Sequence, residues 1–209
     1  MVNKSIAINT ISLNSSPTIG RCLASVKAQI LEPTEYIVVD GQSTDDTPAL
    51  IRKAAKNGTV SKFICEPDLG VSDAFNKAWK ASNSEYIVSL NSDDWIEPDF
   101  ISRAVDCIYN HDPDIVISHL NFSTGRKSRV LKPSFPSELP PPFWFHPIIN
   151  HPGMIIRKKL LEQLGGPVLG VGLSIERGVK DVADGEVYRG IEAMVPAAFR
   201  NGMKTFRFA

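Results

Sequence analysis

Up to about residue 118 the chain alternates short runs of β-branched and aliphatic residues with stretches whose apolar side chains recur at helical spacing. That alternation is the mark of βαβ units on a mainly parallel sheet, so it predicts an α/β fold. The runs SIAINTI (5–11), YIVVD (36–40), KFICE (62–66), EYIVSL (85–90) and DIVISHL (114–120) read as strands. Between them, Ile19, Cys22, Leu23, Val26 and Ile30 make one apolar helix face behind Ser16 as cap and Pro17 in the first turn. Leu50, Ile51, Ala54 and Ala55 make a second, begun at Thr47 and Pro48 and stopped by Asn57 and Gly58. Val71, Ala74, Phe75, Ala78 and Trp79 give a third beginning near Gly70, which leaves Asp73, Asn76, Lys77 and Lys80 on its other side. Phe100, Ile101, Ala104, Val105 and Ile108 give a fourth, and Trp95 before it is assigned to the core.

Two strands end in acids. EYIVSL runs into LNSDD, so Asp93 and Asp94 lie just past a carboxyl end, and YIVVD ends on Asp40 and turns at Gly41. In open α/β sheets ligands bind in the crevice outside the carboxyl ends of the strands, and adjacent carboxylates there offer hard oxygen ligands suited to Mg²⁺ or Mn²⁺. Asp40 and Asp45 also fit the plainer duties of ending a strand and capping a helix.

Beyond residue 120 the pattern gives way to a basic stretch, TGRKSRVLKP, and to a proline-rich and aromatic segment, FPSELPPPFWFHPIINHPG (135–153), read as a loop lining the cleft. A short helix, RKKLLEQLGG, closes the regular part at Gly165 or Gly166. Residues 1–166 are therefore expected to form one domain, and 167–209 an atypical, poorly packed tail. The last stretch, MVPAAFRNGMKTFRFA, mixes aromatic with basic residues, and weak attachment to an anionic membrane surface is expected of it.

Lys plus Arg and Asp plus Glu stand at 23 each, so no global basic field argues for nucleic acid. Cys22, Cys65 and Cys107 lie in or beside apolar segments without metal spacing and read as buried free thiols in a reducing compartment. No apolar run approaches the roughly 18 residues a membrane span needs. The start MVNKSIAINT lacks a signal-peptide core. The expected location is the cytoplasm, with peripheral contact at the inner membrane face.

The blocks YIVVDGQSTDDT, EPDLGVSDAFNKA and YIVSLNSDDW, in that order, resemble those of family 2 glycosyltransferases, over roughly residues 5–166. The resemblance implies a GT-A fold and an inverting, nucleotide-sugar-dependent enzyme acting on a glycan or lipid-linked acceptor. It implies that Thr10 and the loop after it, with Asp40, surround the base and ribose, and that Asp73 and Asn76 face the nucleotide sugar. The NSDD block takes the place of the metal-binding DxD motif, with Asn91 where its first acid often stands. Asp93 is then the metal ligand, and Asp94 lies close to the donor sugar or supports the metal shell. His151, in HPGMIIRK, resembles the block before the last helix and is expected at the acceptor or diphosphate; Trp144, with Phe143 and Phe145, is expected to stack on an acceptor sugar or to be buried. The catalytic base usually follows the double glycine, where this chain departs from the pattern and leaves Glu176, Asp181 and Asp184 as candidates. Two rivals are carried forward: a nucleotidyltransferase, against which the absence of a Gly-rich basic loop in NTISLNSSPTIGR argues, and a degenerate, non-catalytic nucleotide-binding or partner subunit.

Overall fold

A computed structural model describes residues 4–123, 128–131, 153–163 and 205–208. The elements follow the expected alternation: β1 (Ile6–Ser12), α1 (Ile19–Lys27), β2 (Glu35–Asp40), α2 (Thr47–Lys56), β3 (Lys62–Cys65), α3 (Val71–Ala81), β4 (Tyr86–Ser89), α4 (Phe100–His111) and β5 (Ile115–Ser118). After them come an antiparallel pair, β6 (Leu120–Ser123) and β7 (Ser128–Leu131), then β8 (Met154–Arg157), α5 (Lys158–Gln163) and β9 (Thr205–Phe208). The order in the main sheet is β3-β2-β1-β4-β8-β5-β9, and only β8 runs antiparallel to its neighbours.

Both faces of this sheet are covered, which is why its strands read as continuous apolar runs rather than as alternating ones. On one face Ile6, Ile8, Tyr36, Val38, Tyr86 and Val88 meet the buried sides of α1, α2 and α4. On the other, Ala7, Ile87, Ile115 and Ile117 pack with Trp79 of α3 and Leu160 of α5, while Ile37 and Val39 pack with Ala74 and Ala78 of α3. Each fully buried Ile, Leu or Val contributes about 1.5–3 kcal/mol, so α1 alone, through Ile19, Leu23 and Val26, is firmly held.

Several expectations need correction. α1 ends at Lys27, so Ile30 is not part of its apolar face and is 76% exposed. Asn76 lies on the covered side of α3, at 7% exposure, because that helix spans β1 and β2 and buries a wide face. Trp95 is 42% exposed rather than core, and Cys65 is exposed where Cys22 and Cys107 are buried. Within the basic stretch after residue 120, Ser128–Leu131 form β7, paired antiparallel with β6 in a ladder too polar to show a periodic signal. β8 was hidden as a four-residue run, MIIR, whose strand character comes from insertion between β4 and β5. Of residues 167–209 only Thr205–Phe208 is described, paired in parallel with β5 at the sheet's edge.

One carboxylate sets how α3 leads into β4. Glu35, the first residue of β2, accepts hydrogen bonds from Ser82 Oγ (2.9 Å), Asn83 N (2.9 Å), Ser84 N (2.9 Å) and Ser84 Oγ (2.6 Å). Burial alone would raise its pKa, but the hydrogen bonds from Ser84, Ser82 and the two amides outweigh it and hold the carboxyl below its ordinary value. A hydrogen bond to a charged group contributes about 1.5–3 kcal/mol net of the water it replaces. A folded-state pKa below the unfolded one gives stability that is present above the unfolded value, about 4.3 for Glu, and is lost as pH falls through the folded value. Glu35→Gln is therefore expected to lower stability at pH 7 by about 1–3 kcal/mol. Urea denaturation should show the gap to wild type narrowing below about pH 4.3; a gap that stays constant down to pH 3 would exclude this role.

Candidate functional site

The order of the strands places the site. From β1 the chain adds β2 and β3 to one side and then crosses to add β4 on the other, so the strand order reverses between β1 and β4. A crevice opens beyond the carboxyl ends of the strands at such a switch point.

The β4 side of that crevice is the acid turn. Leu90 N donates to Asn9 O (2.9 Å), which extends the β1–β4 pairing, and Asp94 N donates back to Asn91 O (3.1 Å), which closes the turn Asn91–Asp94. The Asn91 side chain donates to Asp94 Oδ2 (3.3 Å). Ser15, in the loop after β1, shares a 2.9 Å hydrogen bond with Ser92 and so ties the two sides of the switch point together. Arg21 of α1 donates to Asp93 O (2.7 Å), and its guanidinium lies 3.8 Å from the centre of the exposed Trp95 ring, a cation–π arrangement that fixes the arginine. Asp93 is exposed, and its carboxylate makes no hydrogen bond or ion pair among the described residues. Burial, and then the negative charge of Asp93, push the Asp94 carboxyl above its usual range; the Asn91 amide and Arg21 pull it down without cancelling the rise.

No cluster of three or more metal-ligating side chains occurs among the described residues. Two adjacent carboxylates nevertheless suit a cation such as Mg²⁺, which commonly takes one or two protein carboxylates and completes its shell with phosphate and water. Burial first, and the like charge of Asp93 second, oppose the ionisation of Asp94, and a divalent cation bound there would favour the charged form.

The loops after β1 and β2 are fastened to each other. Asn14, at φ 50°, accepts from Thr44 N (2.9 Å) and donates its own N–H to Ser43 Oγ (2.7 Å). Ser15 N donates to Thr47 Oγ1 (2.8 Å), and Asp45 accepts from Ser16 N (3.0 Å) and Thr47 N (2.9 Å). Asp45 thus ties the loop before α1 to the start of α2; Ser16 does not cap α1 as expected, because that helix begins only at Ile19 with Thr18 at its N-cap and no side-chain cap bond. Bonds from Thr47 and Ser16 hold the Asp45 carboxyl far below the ordinary carboxylate range.

The structure gathers some of the expected residues and separates others. Asn91, Asp93 and Asp94 share the turn after β4. Asp40 sits at the neighbouring end of β2 but is fully buried, its oxygens accepting from Ser12 Oγ (2.8 Å), Ser43 N (2.8 Å), Ser43 Oγ (2.6 Å) and Cys65 Sγ (3.6 Å). Thr10 is also fully buried, on the α1 side of the sheet, where it bonds with Tyr36 OH (3.2 Å) and Cys22 Sγ (3.8 Å). The reason is that β1 runs on to Ser12 and carries its mouth two residues further. Asp73 is engaged by Leu69 N (3.1 Å) and Lys77 (3.1 Å), fastening the loop before α3; the buried Asn76 makes no side-chain hydrogen bond to a described residue. Trp144, His151, Glu176, Asp181 and Asp184 lie outside the described residues. Sequence reasoning did not single out Arg21 or Ser15, which carry no motif of their own, nor Ser92, which lies inside the NSDD block; the NSS run after β1 is a signal that could have pointed to Ser15.

A family model described as Glycosyl transferase family 2 matches residues 8–165. The chain is 33% identical over 90 residues to the "Putative glycosyltransferase EpsH" of Bacillus subtilis (strain 168), covering 43% of this chain and 26% of that protein. Among solved structures, S. aureus TarS 1-349 in complex with UDP-GlcNAc superposes with a TM-score of 0.63 at 24% identity, over 76% of this chain and 47% of that one. The mannosyltransferase PcManGT from Pyrobaculum calidifontis, in complex with GDP-Man and Mn²⁺, gives 0.64 at 18% identity, over 97% and 54%. These likenesses establish the GT-A fold. The chain spans about a quarter of the first relative and about half of each structure.

The electrostatics of the acid turn are open to direct measurement without metal. Asp93→Asn is expected to bring the Asp94 carboxyl down toward its ordinary value, and Arg21→Ala to push it further up, in a carboxyl ¹³C NMR titration. Asp94 midpoints that move in neither variant would show that the two groups do not act on it.

Proposed function

Because the chain belongs to glycosyl transferase family 2, we propose that it transfers a sugar from a nucleoside diphosphate donor, a uridine diphosphate sugar, to a glycan or lipid-linked acceptor. Inversion at the anomeric carbon and assistance by Mg²⁺ or Mn²⁺ belong to the same proposal, as does the assignment of residues 1–166 as the catalytic domain. The carrying observation is the acid turn: an exposed, unengaged Asp93 beside an Asp94 whose ionisation is opposed, at the point where the strand order reverses. The nucleotide sugars and the Mn²⁺ in the complexes of the similar solved structures support it.

Asp93, with Asp94 beside it, would hold the cation, which when bound neutralises negative charge on the departing diphosphate. The chain's own residues prepare that position. Arg21 fixes the backbone of Asp93, Asn91 orients Asp94, and the Ser15–Ser92 bond keeps the loop after β1 from moving away from the turn. Fixing these groups beforehand matters because a catalytic charge loses most of its effect when it must reorganise during the reaction. In-line displacement also needs a group that takes the acceptor hydroxyl proton on the face opposite the leaving group. Glu176, Asp181 and Asp184 are the candidates for it, and His151 and Trp144 those for acceptor or diphosphate contacts.

Release of nucleoside diphosphate from a panel of sugar nucleotides with Mn²⁺ tests the activity, and a protein that binds donor without turnover would favour the non-catalytic alternative. Asp93→Asn keeps the side-chain size but removes the charge, so turnover is expected to fall about a hundredfold or more with the melting temperature unchanged. Normal turnover in that variant, or wild-type transfer undiminished in excess chelator, would exclude the metal role.

A further inference from the structure

We propose that Asp68 recognises the donor's base, and that its free carboxylate oxygen selects uracil by accepting the imide N–H. This deepens the nucleotide-sugar reading above and rests on it.

Asp40, the strand-end acid that the sequence offers for this duty, is spent. A carboxylate has about four lone-pair sites, and those of Asp40 accept from Ser12 Oγ, Ser43 N, Ser43 Oγ and Cys65 Sγ, with no exposed surface left for a ligand. The next residue has no side chain. A Cβ on Gly41 would overlap Asp68 Oδ2 and would touch Leu13 Cδ1 at 3.4 Å, so the absence of one lets a carboxylate from a loop 27 residues further along (68 − 41) come to rest directly over the end of β2.

That carboxylate is held in place. Its Oδ1 accepts from Gly70 N (2.9 Å), and Gly70, at φ 112°, adopts a conformation that side chains rarely take. The loop is fastened to α3 on both sides: Asp73 Oδ2 accepts from Leu69 N (3.1 Å), and Lys77 Nζ donates to Pro67 O (2.5 Å) and pairs with Glu66 (3.2 Å). Asp68 Oδ2 accepts from no described residue, and the side chain is half-buried. Leu13, 59% exposed, reaches the same Gly41 position with its Cδ1, and Leu69, the next residue along, is 98% exposed, so apolar surface lies open near the carboxylate.

A half-buried acceptor beside exposed apolar surface suits a flat ring with an N–H on its edge. Uracil presents an imide N–H there; cytosine presents a bare ring nitrogen, a second acceptor, and is repelled. Guanine offers an edge N–H with an amino donor beside it, and for that second donor Oδ1, which already accepts from Gly70 N, has only its remaining lone pair. The placement also agrees with the length of a nucleotide. β2, β1 and β4 are consecutive in the sheet at about 4.8 Å spacing, so Gly41 and the acid turn stand roughly 10 Å apart. A base at β2, a ribose over the loop after β1 and a diphosphate at β4 would lie in one line.

Calorimetry of the full chain with UDP, CDP and GDP, each with Mn²⁺, tests this. Wild type is expected to prefer UDP. Asp68→Asn keeps shape but replaces the anion with an amide that can both donate and accept, so UDP affinity should fall about 10- to 100-fold, the loss of one charge-assisted hydrogen bond. The preference over CDP should collapse with it. Gly41→Ala, which displaces Asp68 while leaving that residue intact, should have the same effect with the melting temperature retained. A UDP-over-CDP ratio unchanged in Asp68→Asn, or a wild type that binds CDP or GDP as tightly as UDP, would overturn the assignment and leave the nucleotide-sugar reading standing. A wild type that binds none of the three would overturn both.

Discussion

The wholly buried carboxylate of Asp40 holds together the edge of the sheet at which the site is built. It accepts from Ser12 at the end of β1, from the backbone and hydroxyl of Ser43 in the loop after β2, and from Cys65 at the end of β3. An acid taken out of water is costly unless its lone pairs are met by donors. Here all of them are, and each donor comes from a different strand end or from the loop between two of them. Three parallel strands that could otherwise fray at their carboxyl ends are therefore pinned at one point, and Gly41, Asn14 and Ser15 inherit fixed positions from it.

The same device recurs with other partners, around the crevice for Asp45 and Asp73 and at the amino ends of the strands for Glu35. Asp45 joins the turns before α1 and α2, Asp73 fastens the loop that brings Asp68 over Gly41, and Glu35 ties the end of α3 to the start of β2. Most acids of the carboxyl edge are thus used to hold loops in shape, with their oxygens filled by backbone amides and hydroxyls. Against that background Asp93 differs, since its oxygens are exposed and without partners among the described residues, and so does Asp94, whose pKa is raised by burial and by the charge of Asp93. An acid that the fold does not use for itself remains available to a ligand.

Arg21 links packing to chemistry. It lies on the exposed side of α1, a helix whose other side is anchored in the core by Ile19, Leu23 and Val26, and it reaches from there to the carbonyl of Asp93 while stacked on Trp95. The tryptophan leaves the core to serve as that platform. Motion of α1 relative to β4 would be felt directly at the acid turn, and the Ser15–Ser92 bond provides a second tie between the same two sides.

The sequence by itself determined the fold class, the position of each principal strand and helix through residue 118, and the acids at the ends of β2 and β4, because hydrophobic periodicity and strand-end chemistry are local properties. It also determined the family, through three ordered blocks that carry those strand ends. It could not determine which acid does what. Asp40, Asp45, Asp68, Asp73 and Asp93 look alike in a one-dimensional reading, and the difference lies in which donors reach them from segments tens of residues away. Only the tertiary structure filled the lone pairs of Asp40, left those of Asp93 open and enclosed Thr10 beneath α1. It alone inserted MIIR between two strands that run the other way, since hydrogen-bond partners in a sheet and around a buried carboxylate are set by the packing of the whole chain.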